Sequence, residues 1–316
     1  MSGFAYRVAN GTASAVPLDE ALCSDGDLIW AHLESRDEDA RHWLAGKAGL
    51  ADVVVDALTA SETRPRCDAV GEGAILNLRG LSSQLMAASD PLASVRIHAQ
   101  GTCVTSVTRK PMQALAAVRV AVEAGRIRDP GDLIAVFATA ITEELDPVVA
   151  ELGDTLDACE EGLGDTNTFE LRRTVAHSRA EAIGYRRFLN PQRNALEKLA
   201  ELPVAWLNEE DRLHLAAAAD RAARMAEEVE AIRERAALIH EAITDLRAEQ
   251  IDQRSLMIAI VAMVFLPLTF LTGLLGMNVE GIPYAHEPWA FWGVVGVSAA
   301  LSVLVAAYFI RRHWFN

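Results

Sequence analysis

Residues 255–275 read SLMIAIVAMVFLPLTFLTGLL, an uninterrupted run without a charged side chain that begins directly after Arg254. A second such run, WAFWGVVGVSAALSVLVAAYFI, occupies 289–310 between Glu287 and Arg311. As helices rising ~1.5 Å per residue, both are long enough to cross a hydrocarbon core about 30 Å thick. Buried helices of soluble proteins rarely stay uncharged for so many turns, so both runs read as membrane spans. Trp289, Trp292, Tyr308 and Trp314 cluster near the ends of the second run, where amphipathic rings favour the membrane interface.

The flanking charges set an orientation. Arg247 and Arg254 precede the first span and Arg311 and Arg312 follow the second, whereas 276–288 contains no Lys or Arg. The positive-inside rule then predicts cytoplasmic termini and an external loop. Met1 to Gly11 has neither an apolar core nor a cleavage site, so no secretory signal is expected there.

Composition agrees with a membrane anchor on an acidic body. The 316 residues are 51% hydrophobic, yet 44 Asp+Glu against 29 Lys+Arg give a net charge of -15. The mean hydropathy is nevertheless positive, at +0.14. Because two acids and two bases follow Ser255, the whole excess charge belongs to the part before the spans. Such a surface repels phosphate backbones, so nucleic acid is not an expected partner. Cys23, Cys67, Cys103 and Cys159 have no paired spacing, which argues against a disulfide scaffold or a zinc knuckle. With no Gly-rich phosphate loop, nucleophile elbow or metal-hydrolase motif, neither an enzyme nor a bound cofactor is expected.

Residues 1–190 read as a mixed α/β domain. Leu28–Leu33, Ala74–Leu78, Val95–Ala99 and Cys103–Thr108 have strand character, with Gln100-Gly101 marking a hairpin turn. Helical patterns cover Asp37–Leu44, Pro111–Ala124, Asp132–Glu161 and Thr168–Phe188. The rest divides into stalk helices (191–254), a first span (255–275), a loop (276–288), a second span (289–310) and a basic tail (311–316). The fold class is thus an α/β domain joined through a very long helix to two C-terminal membrane helices.

That long helix begins after Asn208, a plausible N-cap with Asp211 three residues on, and meets no Pro or Gly before Pro267. Carried on to Leu275 it is about 100 Å long. Two stripes run along it. Met225, Val229, Ile232, Ala236, Ile239, Ile243 and Leu246 have coiled-coil spacing. The other is acidic at Glu227, Glu234, Glu241, Asp245 and Asp252, and continues through the span as Ser255, Ala259, Ala262, Leu266, Thr269, Gly273 and Gly276. Lipid would prefer Leu, Ile and Phe there, so small and hydroxylic residues on one face indicate close helix packing or a pore lining, and the acidic extension favours the pore.

The span ends in Gly276-Met277-Asn278, after Phe265-Leu-Pro-Leu-Thr-Phe-Leu-Thr-Gly273. With the acidic domain, long helix, two spans and basic tail, this resembles the CorA family of divalent-cation transporters over the whole chain. Met263–Pro267, Val279–Pro283, Glu62–Arg66 and Gly71–Gly73 are most similar to its ZntB zinc-transporter branch. Leu275 stands where the magnesium branch usually has a Tyr before the tripeptide.

The resemblance implies a homopentameric funnel in the inner membrane, its partners being further copies of itself and the bilayer. Gly276, Met277 and Asn278 would form the outer selectivity filter and Thr269 a second polar ring. Leu266 and Ile258 would narrow the path, and Ser255 and Asp252 would line its inner mouth. Glu280, His286 and Glu287 would gather cations outside. The implied function is transport of Zn2+, with Co2+, Ni2+ and Cd2+ as further passengers, driven by membrane potential, a proton gradient or both. Two alternatives stand beside it: a magnesium channel gated by intracellular metal, and a membrane-anchored sensor or scaffold. No metal-ligand set is assigned from the sequence.

Overall fold

The computed structural model describes residues 2–21, 26–34, 38–61, 64–83, 91–164, 168–277, 281–282, 284 and 286–311. It divides into two compact units, Met1–His240 and Glu241–Asn316.

The first unit is built on a seven-stranded sheet of order β2-β1-β3-β7-β6-β5-β4. The strands are β1 (Ser2–Ala9), β2 (Thr12–Val16), β3 (Leu28–Glu34), β4 (Arg66–Val70), β5 (Gly73–Leu81), β6 (Leu92–Gln100) and β7 (Cys103–Thr108). Only β3 and β7 pair in parallel, at the centre; every other pair is antiparallel. Tight hairpins make the outer pairs. Asn10 and Gly11 both take positive φ (50° and 70°), the conformation that a type I′ turn demands. Gly101, at φ 59°, opens the two-residue turn between β6 and β7.

Strand β3 is buried on both faces, as a sheet covered by helices on each side requires. Ile29, Ala31 and Leu33 face one core, which includes Trp43 and Leu44 and Val54, Val55 and Leu58 of α3 (Asp52–Thr59). Trp30, one position out of phase with these and so on the opposite face, lies edge-on to Phe137 of α5 (Pro130–Glu161), ring centroids 5.7 Å apart. Its Nε1 donates to Ser106 Oγ at 2.8 Å. His32 is held between Ser106 Oγ (2.8 Å) and Thr108 Oγ1 (3.2 Å), and burial pushes its pKa down to about 3. It is a neutral core histidine.

Several sequence-predicted boundaries move. Two further short helices precede α3: α1 (Leu18–Ala21) and α2 (Glu38–His42), the latter passing into a π-turn at Trp43–Lys47, while Asp37 lies outside the described residues. Helix α4 (Ala114–Glu123) starts three residues after Pro111. Pro111 and Gln113 instead bond the end of β5, through Ser83 N to Pro111 O and Gln113 N to Leu81 O. Helix α6 (Thr168–Glu201) runs through Pro191, so the boundary expected at 190 falls inside a helix. Tertiary contacts override the proline: Gln192 Oε1 accepts from Arg79 N at 2.7 Å, and Ala195, Leu196 and Leu199 are buried.

Helix α7 spans Glu209–Leu275 without interruption, Pro267 included. Its start is a reciprocal cap: Asp211 N donates to Asn208 Oδ1 (3.0 Å) and Asn208 N to Asp211 Oδ2 (2.9 Å). Asn208→Ala is expected to cost about 1 kcal/mol, read as a lower unfolding temperature of the purified protein. Within the first unit α7 packs on α5 and α6. Arg221 pairs with Glu143 at 3.3 Å, Arg235 with Glu160 at 3.0 Å and with Asp157, and Arg186 with Glu230 at 2.7 Å. Of the coiled-coil stripe, Met225 through Ile243 is buried, whereas Leu246 is 37% exposed and ends it.

Glu144 of α5 accepts from the backbone N–H of Ala114 and so caps α4 from a neighbouring helix. Burial pushes its carboxyl up to about 7, the bond to Ala114 opposing the shift. The folded state thus holds this proton more tightly than the unfolded state does. The contribution to stability is full below pH 4.5 and declines as pH rises toward 7. Glu144→Gln is expected to flatten that decline, so that the variant melts above wild type at pH 8 and not at pH 4.5; equal differences at both pH values would contradict this.

The second unit contains the last turns of α7 and helix α8 (Pro288–Arg311). Both helices are long and apolar enough to cross a membrane, and none of either apolar window is buried within the chain. Leu266, Phe270 and Trp292 each expose more than two thirds of their surface. Water does not stabilise so continuous an apolar surface, but lipid or further protein does.

Candidate functional site

Every described residue of the stripe is exposed in the single chain: Asp252, Ser255, Ile258, Ala259, Ala262, Leu266, Thr269, Gly273, Gly276 and Met277. The half-buried residues of this stretch are different ones, Leu256, Ile260, Val264, Leu268, Leu271 and Leu275. On α8 the half-buried residues are Ala290, Val294, Ser298, Ser302 and Val305, four or three apart. Such a seam of lowered exposure along one line of each helix is the pattern that mutual cover of α7 and α8 would give.

Helix geometry relates that seam to the stripe. At about 100° per residue, Ser255 to Gly276 falls within an arc about 100° wide, and the seam is centred about 170° away. The small and hydroxylic residues therefore do not serve the packing of α8 on α7, since they occupy the opposite face. They are left for water or for another chain.

Local bonding keeps this face regular. Thr269 Oγ1 donates to Phe265 O at 2.7 Å, and Thr272 Oγ1 to Leu268 O at 2.9 Å, around a proline that supplies no donor of its own. Each hydroxyl oxygen still offers lone pairs to water or to a hydrated ion. Gly276 N bonds Thr272 O at 2.9 Å, carrying the helical pattern to the tripeptide. Asn278 and Glu280 lie outside the described residues. His286 and Glu287 are exposed in the turn before α8, where Glu287 N bonds Tyr284 O at 3.0 Å. The ring of Tyr284 lies 5.2 Å from that of Trp289.

In the acidic continuation, Glu227, Glu234, Glu241, Asp245 and Asp252 are exposed, and none of them has an ion-pair partner among the described residues. The same is true of Asp220, Glu228 and Glu249 on the same helix. Glu230, Glu143, Asp157 and Glu160 are each paired with an arginine of a neighbouring helix.

One group of chemistry-bearing residues escaped the sequence reading. Asp129, Asp132 and Asp211 each bring a carboxylate oxygen within 4.8 Å of the other two. Asp129 caps α5 by accepting from Asp132 N at 2.9 Å, and Asp211 belongs to the cap of α7. Burial, reinforced by Asp129 and Asp132, pushes the Asp211 carboxyl up to about 6. Each of 129–132 (Asp-Pro-Gly-Asp) and 208–211 (Asn-Glu-Glu-Asp) is legible as a helix start, but their meeting is a tertiary fact.

Comparison with known proteins agrees with this architecture. The family model described as CorA-like Mg2+ transporter protein matches residues 25–312. The chain is 32% identical to the divalent cation transporter CmaX of Pseudomonas aeruginosa over 291 residues, covering 91% of this chain and 88% of the relative. It is 29% identical to the zinc transport protein ZntB of Pectobacterium atrosepticum over 312 residues, covering 98% and 95%. Among solved structures, full-length CmaX superposes with a TM-score of 0.78 at 28% identity, covering 99% of this chain and 98% of that one. The CorA magnesium transporter of Methanocaldococcus jannaschii shares the fold, with a TM-score of 0.85 at 16% identity and 99% coverage of both chains. An α/β unit, one helix running from it into the first of two apolar spans, and a match along nearly the whole length make this chain a member of the CorA family of divalent-cation transporters.

Proposed function

We propose that the chain carries Zn2+ across the membrane through the central pore of a homopentamer. The observation that carries this reading is the face of α7 from Ser255 to Gly276, small or hydroxylic apart from Ile258 and Leu266, exposed and opposite the half-buried line. Two helices enclose no lumen, so a path along this face needs further copies of the chain. In the assembly Gly276, Met277 and Asn278 form the outer ring and Thr269 a second one. Leu266 and Ile258 narrow the path, and Asp252 and Ser255 line the inner mouth. The external loop adds Glu280, His286 and Glu287, and the termini are cytoplasmic, in keeping with Arg247, Arg254, Arg311 and Arg312.

The donors on this path are amide, hydroxyl and carbonyl oxygens. A tight zinc site would use Cys and His. Conduction needs weaker binding, and oxygen donors bond a hydrated divalent ion without stripping its shell. Such a filter discriminates modestly, so Co2+, Ni2+ and Cd2+ pass as well. Membrane potential alone supplies about 4.6 kcal/mol per divalent ion at 100 mV. Zinc rather than magnesium is favoured by the likeness to ZntB proteins and by Leu275 before the tripeptide. The oxygen-only lining and the magnesium family description keep a magnesium channel as the second reading.

Uptake into proteoliposomes, with potential and pH gradient imposed separately, tests the proposal. Zinc entry that follows the potential supports a channel-like path, and entry that requires the pH gradient directs attention to His286 and the carboxylates. Magnesium entry without zinc would overturn the zinc assignment. The absence of any flux would favour a sensor or scaffold.

A further inference from the structure

We propose that α7 and α8, where the two spans meet their flanking arginines, form a docking surface for an anionic phospholipid. Arg254 and Arg311 take its phosphate, Arg247 adds long-range attraction, and the apolar lines that continue from these arginines take its acyl chains. The proposal rests on the two spans and not on the pore, and its test reads lipid rather than flux.

Arg247, Arg254, Val261 and Phe265 follow one another at heptad-like spacing, which at about 100° per residue puts them within an arc about 40° wide. This line is separate from both features of the span. It lies about a quarter turn from the stripe and from the half-buried line. The acidic residues of the same turns, Glu241, Asp245, Glu249 and Asp252, lie about 140–180° round the helix from Arg254. Both arginines are exposed, and neither has an ion-pair partner among the described residues. Val261 and Phe265 continue the line into the span with 51% and 62% of their surface exposed.

Helix α8 repeats the pattern. Val297, Leu304 and Arg311 share an arc about 40° wide. Val297 is 61% exposed and Leu304 68%. Arg311 is exposed and has no ion-pair partner among the described residues. Each helix thus carries one exposed line that is bulky and apolar inside the span and ends in a guanidinium at its edge. Arg254 directly precedes the first charge-free run and Arg311 directly follows the second, so both stand at headgroup level. Arg247 is about 10 Å farther along α7, about one Debye length away.

The chemistry of these lines selects the ligand. A guanidinium holds its charge at every physiological pH and binds a phosphate through two parallel hydrogen bonds. A zwitterionic headgroup brings its own ammonium to the same place, so a net negative headgroup is preferred. Free phosphate gains nothing from Val261, Phe265, Val297 and Leu304, whereas a phospholipid matches both halves of each line. The chain's net charge of -15 sets most of it against an anionic membrane surface, and these arginines reverse that sign where the chain meets the lipid.

Binding of tail-labelled phosphatidylglycerol to the full-length protein in detergent, read by fluorescence anisotropy against phosphatidylcholine with the same label, tests this. Wild type should bind phosphatidylglycerol more tightly. Arg254→Gln and Arg311→Gln should each weaken that binding about fivefold and leave phosphatidylcholine unchanged. Arg172→Gln, at an exposed position of α6, should alter neither lipid. In wild type alone, the preference should disappear at about 1 M ionic strength, where the Debye length falls to about 3 Å. Equal affinity for the two lipids, or a preference that survives high salt, would overturn the proposal. So would full displacement by equimolar inorganic phosphate, which would reduce the surface to a simple anion site. Unchanged phosphatidylglycerol binding in the double variant Arg254→Gln/Arg311→Gln would overturn it as well, as expected if a second copy of the chain covers the arginines. Flux through the pore is measured separately and stands or falls apart from these outcomes.

Discussion

Asn278→Ala is expected to abolish selective divalent-cation flux while leaving folding and assembly intact. Asn278 is the last residue of Gly276-Met277-Asn278 and the only one of the three with a polar side chain. In the proposed five-fold ring its amides would bond the water shell of an ion entering the path. The net worth of one such bond is about 1 kcal/mol, so a ring of five supplies several. Each 1.4 kcal/mol is a factor of ten, which puts the expected loss above about a hundredfold. Zinc uptake into proteoliposomes measures it, with the oligomer checked by size. Unchanged flux would remove Asn278 from the filter.

Trp30→Ala is expected to destabilise the first unit by about 3–5 kcal/mol. The indole is fully buried and meets Phe137 at 5.7 Å, Phe4 at 5.1 Å and Tyr6 at 6.0 Å between ring centroids. Truncation opens a cavity between β3 and α5 and leaves Ser106 Oγ, now shared between the indole and His32, without its donor from Trp30. Denaturant unfolding followed by circular dichroism reads the shift. Val53→Ala, at a position 60% exposed, serves as the control and should change stability by less than about 0.5 kcal/mol.

The membrane helices and the outline of the α/β unit were legible because their signals are local. Two charge-free runs and an Asn cap need no knowledge of neighbours, and the apolar strands β3, β5, β6 and β7 stand out by composition. The edges were not legible. Strand β2 is exposed along much of its length and β4 is short, so neither offers a clear alternation. The Asn10-Gly11 turn signals a hairpin only if the flanking residues are already taken as strands. Helix α3 opens on Val53-Val54-Val55, β-branched residues whose helical state is imposed by burial of Val54, Val55 and Leu58. Helix α6 runs past the expected end at Phe188 for the same kind of reason, because Gln192 and the leucines beyond it are anchored to the sheet and core.

The candidate pathway divides in the same way. Heptad spacing alone isolated the stripe from Ser255 to Gly276, but its two explanations, close packing or a pore, could be separated only by knowing which face α8 covers. The half-buried line at Leu256, Ile260, Val264, Leu268, Leu271 and Leu275 lies opposite, which leaves the stripe for water or for another chain; that it lines a pore is the proposal. The carboxylates of Asp129, Asp132 and Asp211 were invisible as a group because 79 residues separate Asn208 from Asp129, a distance in sequence that only the packing of α7 on α5 closes.

The account therefore rests on the stripe facing water in the assembled protein, and cysteine accessibility measures that directly. In a background lacking Cys23, Cys67, Cys103 and Cys159, single cysteines at Ala262 and Thr269 are compared with single cysteines at Val264 and Leu268. A charged, membrane-impermeant thiol reagent should block zinc flux through the first pair and leave the second pair conducting. Block at Val264 and Leu268, with Ala262 and Thr269 untouched, would contradict the pore.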